Sequence, residues 1–178
     1  MNISTFDACQ SQAVINLYTN VFSDSEGRDE GASIGHLVSD LIATTDERDI
    51  VGFVAALDDA IIGCIFFSRL FLTSEKNAFI LSPVAIATEQ QGKGIGQQLI
   101  KHGIEYLTSK GVEFVLTYGD PNFYSKVGFE QISEHIIKAP FKLSQPEGWL
   151  AQPLQQGNIE AIKGSSTCVT AFNNPEYW

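Results

Sequence analysis

Apolar residues recur at helical spacing in two segments near the start of the chain. Within residues 7–22 the apolar positions fall mostly on one helical face, and a polar stretch follows at residues 23–30. Residues 32–42 repeat the pattern over a shorter length. The sequence therefore predicts two amphipathic helices, the first ending before the polar stretch and the second beginning after it.

Strands are predicted where β-branched and aromatic residues replace the helical pattern. The runs Ile50–Leu57 and Ala60–Leu72 are separated only by Asp58 and Asp59, which is typical of a hairpin. Four other segments have strand character: residues 3–6, 78–87, 112–118 and 167–172. Beyond Phe129 proline and glycine are frequent, so residues 167–172 are the one segment there with a clear strand pattern.

The order of these elements predicts the fold class. An antiparallel meander is followed by an amphipathic helix over residues 94–109 and by another buried strand. This order predicts a mixed α/β sheet with helices packed against it. The 178 residues can bury one substantial core, so we expect a single domain over residues 1–178.

A glycine-rich turn joins the strand at residues 78–87 to that helix. Gly92, Gly94 and Gly96 remove side chains where the backbone must approach a ligand, and the helix start presents unpaired N–H groups. An anion, such as a phosphate group, is the expected ligand. The spacing does not fit G-x-G-x-x-G, and no Ser or Thr follows Lys93, so neither a dinucleotide fingerprint nor a nucleotide P-loop is indicated.

The charge of the chain is negative and unevenly distributed. The net charge of −10 argues against nucleic acid or an anionic membrane as a partner. Residues 24–59 hold 10 acidic and 2 basic residues, whereas residues 89–110 hold 3 Lys and 2 Glu. An acidic half would attract a cationic amine, although an acidic surface that serves only solubility explains the same pattern.

Cysteine content and N-terminal composition favour a cytoplasmic location. The three cysteines are widely spaced and form no C-x-x-C pair, so neither a disulfide framework nor a metal site is expected. No basic residue precedes Arg28, and no apolar run is long enough for a signal peptide or a membrane span. We therefore expect a cytoplasmic protein without a metal.

Two motifs stand out along the chain. The first comprises the strand Val84-Ala85-Ile86 and the turn Gln91-Gly92-Lys93-Gly94-Ile95-Gly96, and the second is Gly119-Asp120-Pro121-Asn122-Phe123-Tyr124, followed by Gly128-Phe129. The two motifs resemble the signatures of the GNAT superfamily of N-acetyltransferases, whose pattern Q/R-x-x-G-x-G/A is similar to the glycine-rich turn. The likeness covers residues 30–129, and the Gly-Asp-Pro-x-x-Tyr form is similar to a subgroup of bacterial N-acetyltransferases.

The resemblance implies a fold and an activity. The implied fold is a mixed, mostly antiparallel sheet flanked by helices, with residues 140–178 completing it. The implied activity is transfer of an acetyl group from acetyl-coenzyme A to a primary amine, either a small molecule or, as an alternative, a peptide or protein amine. A non-catalytic acyl-coenzyme A-binding module that acts through a protein partner is the competing function. A homodimer is compatible with either function.

The resemblance also implies which residues bind acetyl-coenzyme A. The backbone of Val84, Ala85 and Ile86 pairs with the pantetheine amides, and a backbone N–H near Val84 polarises the thioester carbonyl. Pro83 fits this arrangement because it cannot donate to a strand ladder and marks an edge or a bulge. The pyrophosphate contacts the residues that open the helix: Gly92, Lys93, Gly94, Ile95, Gly96 and Gln97. Gln91 fixes the loop.

Tyr124 is the residue that the resemblance implies as the general acid for the coenzyme A thiolate. The alternative is a tyrosine that only packs beside Phe123 and Phe129. Asn122 is a candidate cofactor contact, because Asp120-Pro121 stands where many members carry an asparagine. Asp120 is a weak candidate for the general base, since it ends a central strand. Four other residues are conceivable bases on the sequence: Glu26, Asp29, Glu30 and His36.

Overall fold

One mixed sheet of eight strands forms the centre of the computed structural model, which describes residues 1–178. The strands are β1 (Asn2–Thr5), β2 (Ile50–Leu57), β3 (Ala60–Leu72), β4 (Ala78–Ile86), β5 (Phe114–Tyr118), β6 (Glu130–Gln131), β7 (Trp149–Pro153) and β8 (Ser166–Cys168). The helices are α1 (Ser11–Glu26), α2 (Arg28–Thr44), α3 (Ile95–Ser109) and the single turn α4 (Pro121–Tyr124). None of the helices is long and apolar enough to cross a membrane.

The sheet order is β1-β2-β3-β4-β5-β7-β6, and β8 pairs with the far end of β3. All neighbouring strands are antiparallel except β4 and β5, which are parallel and are joined by the crossover helix α3. The mixed α/β sheet and the β2–β3 hairpin predicted from the sequence are confirmed. At the hairpin tip Asp58 and Asp59 have φ values of 50° and 64°, as a tight two-residue turn requires.

The two N-terminal helices differ from the sequence prediction at their boundaries. The polar residues 23–26 continue α1, and α2 begins at Arg28, so residues 23–30 are not the connection we expected. Gly27, with φ of 102°, makes the break between the helices in one residue. The buried face of α1 stabilises the helix, and the polar residues lie on its exposed side. A run of polar residues therefore does not show where this helix ends.

Apolar side chains cover both faces of the sheet. On one face α1 and α2 pack against the strands through a cluster that includes Tyr18, Leu41 and Phe66. On the other face α3 contributes Leu99 and Ile100 to a second cluster. The helices therefore sandwich the sheet, and the glycine-rich turn before α3 lies at the end of β4.

The C-terminal strand is shorter than the sequence predicts. We expected a strand over residues 167–172, but β8 ends at Cys168 and Thr170–Phe172 form a 3₁₀ turn. β8 pairs only with Leu70–Leu72 of β3, because the next position on that edge is taken by Asp49, whose carbonyl accepts the N–H of Arg69 at 2.8 Å. The chain must turn away there, and the turn carries Phe172 back towards α2.

Candidate functional site

Strands β4 and β5 separate halfway along β4 and leave an opening in the sheet. Their parallel pairing ends at Leu81 and Thr117. Beyond this point β4 stays paired with β3 through residues 84–86, but its other edge faces no strand. A free strand edge presents backbone groups that an extended ligand can pair with.

The register of β3 and β4 determines which backbone groups face the opening. Ala87 N–H donates to Ile62 O at 2.9 Å, and alternate residues of an antiparallel strand turn to alternate sides. Val84 and Ile86 therefore direct their N–H and C=O groups away from β3, into the opening. This direction is the one that pairing with an amide-containing ligand needs.

A β-bulge lies at the point where the strands separate. Ser82 and Pro83 of β4 together face only Phe66 of β3, because the register shifts between the pairs Ile65–Val84 and Phe67–Leu81. Pro83 has no backbone N–H, so placing it in the bulge leaves no N–H group of this residue without a partner. The bulge frees the second half of β4 from β5.

Tyr18 of α1 contacts the bulge from the face of the sheet that α1 and α2 cover. Its hydroxyl lies 2.8 Å from Cys64 O and 2.9 Å from Pro83 O, and these two carbonyls share its single proton. The side chain is fully buried, and this burial raises the pKa of the Tyr18 phenol well above its ordinary value. The phenol is therefore a neutral donor.

The start of α3 forms an anion cradle. Gly92 and Gly94 have φ values of 74° and 78°, a conformation that glycine adopts without strain, and a Cβ at either position would meet no atom within 4 Å. Gly94 caps α3 without any side-chain hydrogen bond. The N–H groups of Ile95, Gly96 and Gln97 are in the first turn and have no partner within the helix. They suit a phosphate group.

Side chains around the cradle hold the loop together. Gln91 Nε2 donates to Ile86 O at 3.0 Å, which ties the loop to the end of β4. Lys93 Nζ donates to Glu89 O at 3.0 Å and to Gln90 Oε1 at 2.9 Å, so its ammonium group is engaged within the loop.

Tyr124 lies at the end of α4 and lines the opening beside Val84. Its ring makes edge-to-face contacts with Phe123 and Phe129 at centroid distances of 5.0 and 5.7 Å. Burial raises the pKa of the Tyr124 phenol above its ordinary value, the Thr117 hydroxyl lowers it, and the charge of Asp120 raises it. The Tyr124 side chain therefore packs against two phenylalanines and also lines the opening.

Asp120 and Asn122 contact each other, but neither residue lines the opening. The Asp120 carboxylate caps α4, accepting from Asn122 N at 2.9 Å and from Asn122 Nδ2 at 3.1 Å. Asp120 is exposed and lines a separate surface depression with Pro121 and Ser144. The structure thus gives Asp120 a capping contact, on the outer side of the turn that carries Tyr124.

A cavity of about 300 Å³ continues from the opening between α2 and the C-terminal segment. Val84 and Tyr124 are among its lining residues. Glu30 also lines the cavity, whereas the other three conceivable bases, Glu26, Asp29 and His36, do not. Its remaining lining residues come from Phe22 of α1, from α2, from residues 80–83 of β4, from Tyr118 and from residues 172–178.

The sequence did not indicate that residues 172–178 line the site. Phe172, Glu176, Tyr177 and Trp178 all border the cavity. Trp178 is held in place by its Nε1–H, which donates to Phe172 O at 3.1 Å, and by stacking on Tyr118. The signal that could have found them is the density of aromatic residues in a polar, proline-containing tail, since exposed aromatic clusters favour binding.

Comparison with known proteins places this geometry in a family. The sequence model of the GNAT acetyltransferase domain matches residues 48–131. YjhQ of Escherichia coli K12, an uncharacterised N-acetyltransferase, is 30% identical over 124 residues, which cover 66% of this chain and 68% of YjhQ. YhbS of the same strain, also uncharacterised, is 31% identical over 105 residues, 58% of this chain. The match spans 56% of the length of YhbS.

Solved structures share the fold. YhbS of E. coli in complex with CoA superposes with a TM-score of 0.82 at 22% identity, over 97% of this chain and 92% of that one. A GNAT acetyltransferase from Brucella melitensis in complex with acetyl-CoA gives 0.71 at 21% identity, over 97% of both chains. The chain belongs to the GNAT acetyltransferase family, and the GNAT-type fold that its motifs predict is confirmed.

Proposed function

We propose that the chain transfers the acetyl group of acetyl-coenzyme A to a primary amine, as an N-acetyltransferase acting on a small molecule. The observation that supports the proposal is that three features of the site adjoin one another. The anion cradle at the start of α3, the free edge of Val84–Ile86 and the cavity beside Tyr124 follow one another. The relatives solved with CoA or acetyl-CoA support the same ligand.

The backbone provides most of the proposed contacts with acetyl-coenzyme A. The N–H groups at the start of α3 would hold the pyrophosphate, with Gly92 and Gly94 leaving it space. Lys93 adds positive charge near the cradle, while Gln91 fixes the loop by its bond to Ile86. On the free edge of β4 the backbone groups of Val84 and Ile86 would pair with the pantetheine amides, whereas those of Ala85 face β3 and are not available for this pairing.

Two groups facing the cavity supply the proposed chemistry. Acetyl-coenzyme A supplies the acetyl thioester when bound. The N–H of Val84 would donate to the oxygen on which negative charge develops. The Tyr124 hydroxyl, which is protonated at neutral pH as any phenol of ordinary or raised pKa is, carries the proton that the departing sulfur requires. Both residues line the cavity, so both groups can act on one thioester placed there.

For the proton of the incoming amine we favour Glu30 over Asp120. Glu30 lines the cavity, whereas the Asp120 carboxylate caps α4 outside it and is bonded to Asn122. Asn122 shares that outer position and remains a candidate for a peripheral cofactor contact only. We also infer membership of the subgroup marked by the Gly119-Asp120-Pro121-x-x-Tyr124 motif, in which the aspartate caps the turn that carries the tyrosine.

Binding and thiol release together test the proposed function. Acetyl-coenzyme A should raise the melting temperature far more than ATP with magnesium at the same concentration. Addition of a panel of primary amines should then release coenzyme A thiol in proportion to acetylated amine. Equal stabilisation by ATP would argue against the cofactor assignment. Stabilisation by acetyl-coenzyme A without any acetylated product would favour the non-catalytic binding module.

A further inference from the structure

The size of the cavity limits the acceptor. Its volume of about 300 Å³ is at the small end of the roughly 300–1,000 Å³ found for ligand pockets. Because Val84 and Tyr124 line the cavity, the acceptor amine would reach the thioester through it if the proposed function holds. A compact molecule fits such a space, whereas a multi-ring polar amine would extend outside it.

The lining of the cavity is mostly apolar. Ten of its fourteen lining residues are hydrophobic, and they enclose it from opposite sides. Phe22, Ile34 and Leu37 contribute from the two helices, whereas Phe172 and Trp178 face them from the C-terminal segment. An aromatic or branched aliphatic body would bury its surface there, but a polyhydroxylated body would lose water contacts that these walls cannot replace.

The charged groups of the cavity are all carboxylates. Glu30, in the first turn of α2, and Glu176, in the C-terminal segment, line it, and no Lys or Arg does. Neither carboxylate is part of an ion pair, because the three salt bridges of the structure involve Arg48, Arg69 and Lys76. A cation entering the cavity therefore meets two carboxylates that have no other cationic partner.

We propose that the acceptor is a compact primary ammonium compound with an apolar body, of the arylalkylamine or branched alkylamine class, recognised by Glu30, Glu176 and the aromatic walls. This inference rests on the proposed function for the identity of the reaction. The carboxylates attract the ammonium group, and the walls hold the body. A carboxylate on the acceptor itself would oppose binding, because it would be repelled by both glutamates.

Matched acceptors test the class. The catalytic efficiency, kcat/KM, should be about 10- to 100-fold higher for 2-phenylethylamine and 3-methylbutylamine than for ethanolamine, since burying an apolar body contributes that much. Phenylalanine, which differs from 2-phenylethylamine by one carboxylate, should be a poor substrate. An aminoglycoside or ethanolamine with equal or higher kcat/KM would overturn the proposal.

Charge variants separate recognition from folding. Glu30→Gln and Glu176→Gln should each raise the KM for 2-phenylethylamine several-fold and weaken the dependence of that KM on salt, while the Kd of acetyl-coenzyme A stays unchanged. Glu30→Gln should also lower kcat, because Glu30 is the proposed base, whereas Glu176→Gln should leave kcat nearly unchanged. Asp29→Asn is the matched control, because it removes the same charge from the same turn of α2 but outside the cavity. An equal effect of the control, or no effect of the two variants, would contradict the assignment.

Direct binding keeps the inference testable if no amine is acetylated. In that case the proposed function fails, yet 2-phenylethylamine should still raise the melting temperature of the unmodified chain. The double variant Glu30→Gln/Glu176→Gln should show a smaller rise, and phenylalanine should give none with either protein. The absence of any shift with 2-phenylethylamine would overturn the cavity assignment independently of the reaction.

Discussion

Tyr18 Oη lies 2.9 Å from Pro83 O and donates a hydrogen bond to it. The peptide unit that carries this carbonyl also carries the N–H of Val84, which points in the opposite direction, into the opening between β4 and β5. The Pro83 carbonyl belongs to the bulge between β3 and β4, and the Tyr18 hydroxyl is bonded to it there. The orientation of the proposed oxyanion donor therefore depends on a phenol on α1.

Tyr18→Phe should lower both stability and turnover. The variant leaves two buried carbonyls without this donor, which costs about 1–3 kcal/mol of the free energy of unfolding. Because the Val84 peptide loses its anchor, kcat should fall while the KM for the amine and the Kd of acetyl-coenzyme A change little. Tyr106→Phe on α3 is the control, since Tyr106 packs against Phe53 outside the cavity. An unchanged kcat in a folded Tyr18→Phe protein would separate Tyr18 from catalysis.

The buried phenol of Tyr18 should make the fold sensitive to alkaline pH. Its pKa in the folded protein is raised well above the ordinary value near 10, mainly by burial, so the folded state disfavours the phenolate. The stability from its neutral form is fully present below pH 10 and is lost as pH rises through the folded-state pKa. Denaturant unfolding as a function of pH should show a steeper alkaline loss for the unmodified protein than for Tyr18→Phe. Parallel curves would contradict this assignment.

Gly94→Asp should abolish the thermal shift caused by acetyl-coenzyme A. The substitution places a side chain and a negative charge at the start of α3, where the phosphate groups are expected. Gly111→Asp is a close control, because Gly111 has a similar φ of 75° and equally open surroundings but lies at the other end of α3. Both variants should carry a similar strain cost in the free protein. Loss of the shift in both, or in neither, would argue against the cradle.

Tyr124→Phe should separate binding from chemistry. It removes the hydroxyl and keeps the ring contacts with Phe123 and Phe129, so acetyl-coenzyme A should bind almost unchanged. Turnover should fall by about 10²–10⁴-fold, the usual contribution of a general acid. Single-turnover kinetics would measure the acetyl-transfer step without product release. Normal turnover by the variant would reduce Tyr124 to a packing residue.

The features that the sequence predicts best are those determined by neighbouring residues. The hairpin around Asp58 and Asp59, and the strand, glycine turn and helix around Gly94, need only local pattern and turn chemistry. The cavity could not be predicted from the sequence, because its residues Glu30 and Glu176 are far apart along the chain. They come together only because the chain turns away from β3 after β8. The boundary at Gly27 was missed because polar residues on an exposed helical face look like a connection.

The most direct test of the account measures acetylated amine and free thiol together. The purified chain is incubated with acetyl-coenzyme A and 2-phenylethylamine, and both products are quantified by mass spectrometry for the unmodified protein, Gly94→Asp and Gly111→Asp. The account predicts equal amounts of N-acetylated amine and coenzyme A from the unmodified protein and from Gly111→Asp, and neither product above background from Gly94→Asp. Acetyl-coenzyme A bound by the unmodified protein, with no acetylated product from this or any other primary amine, would contradict it.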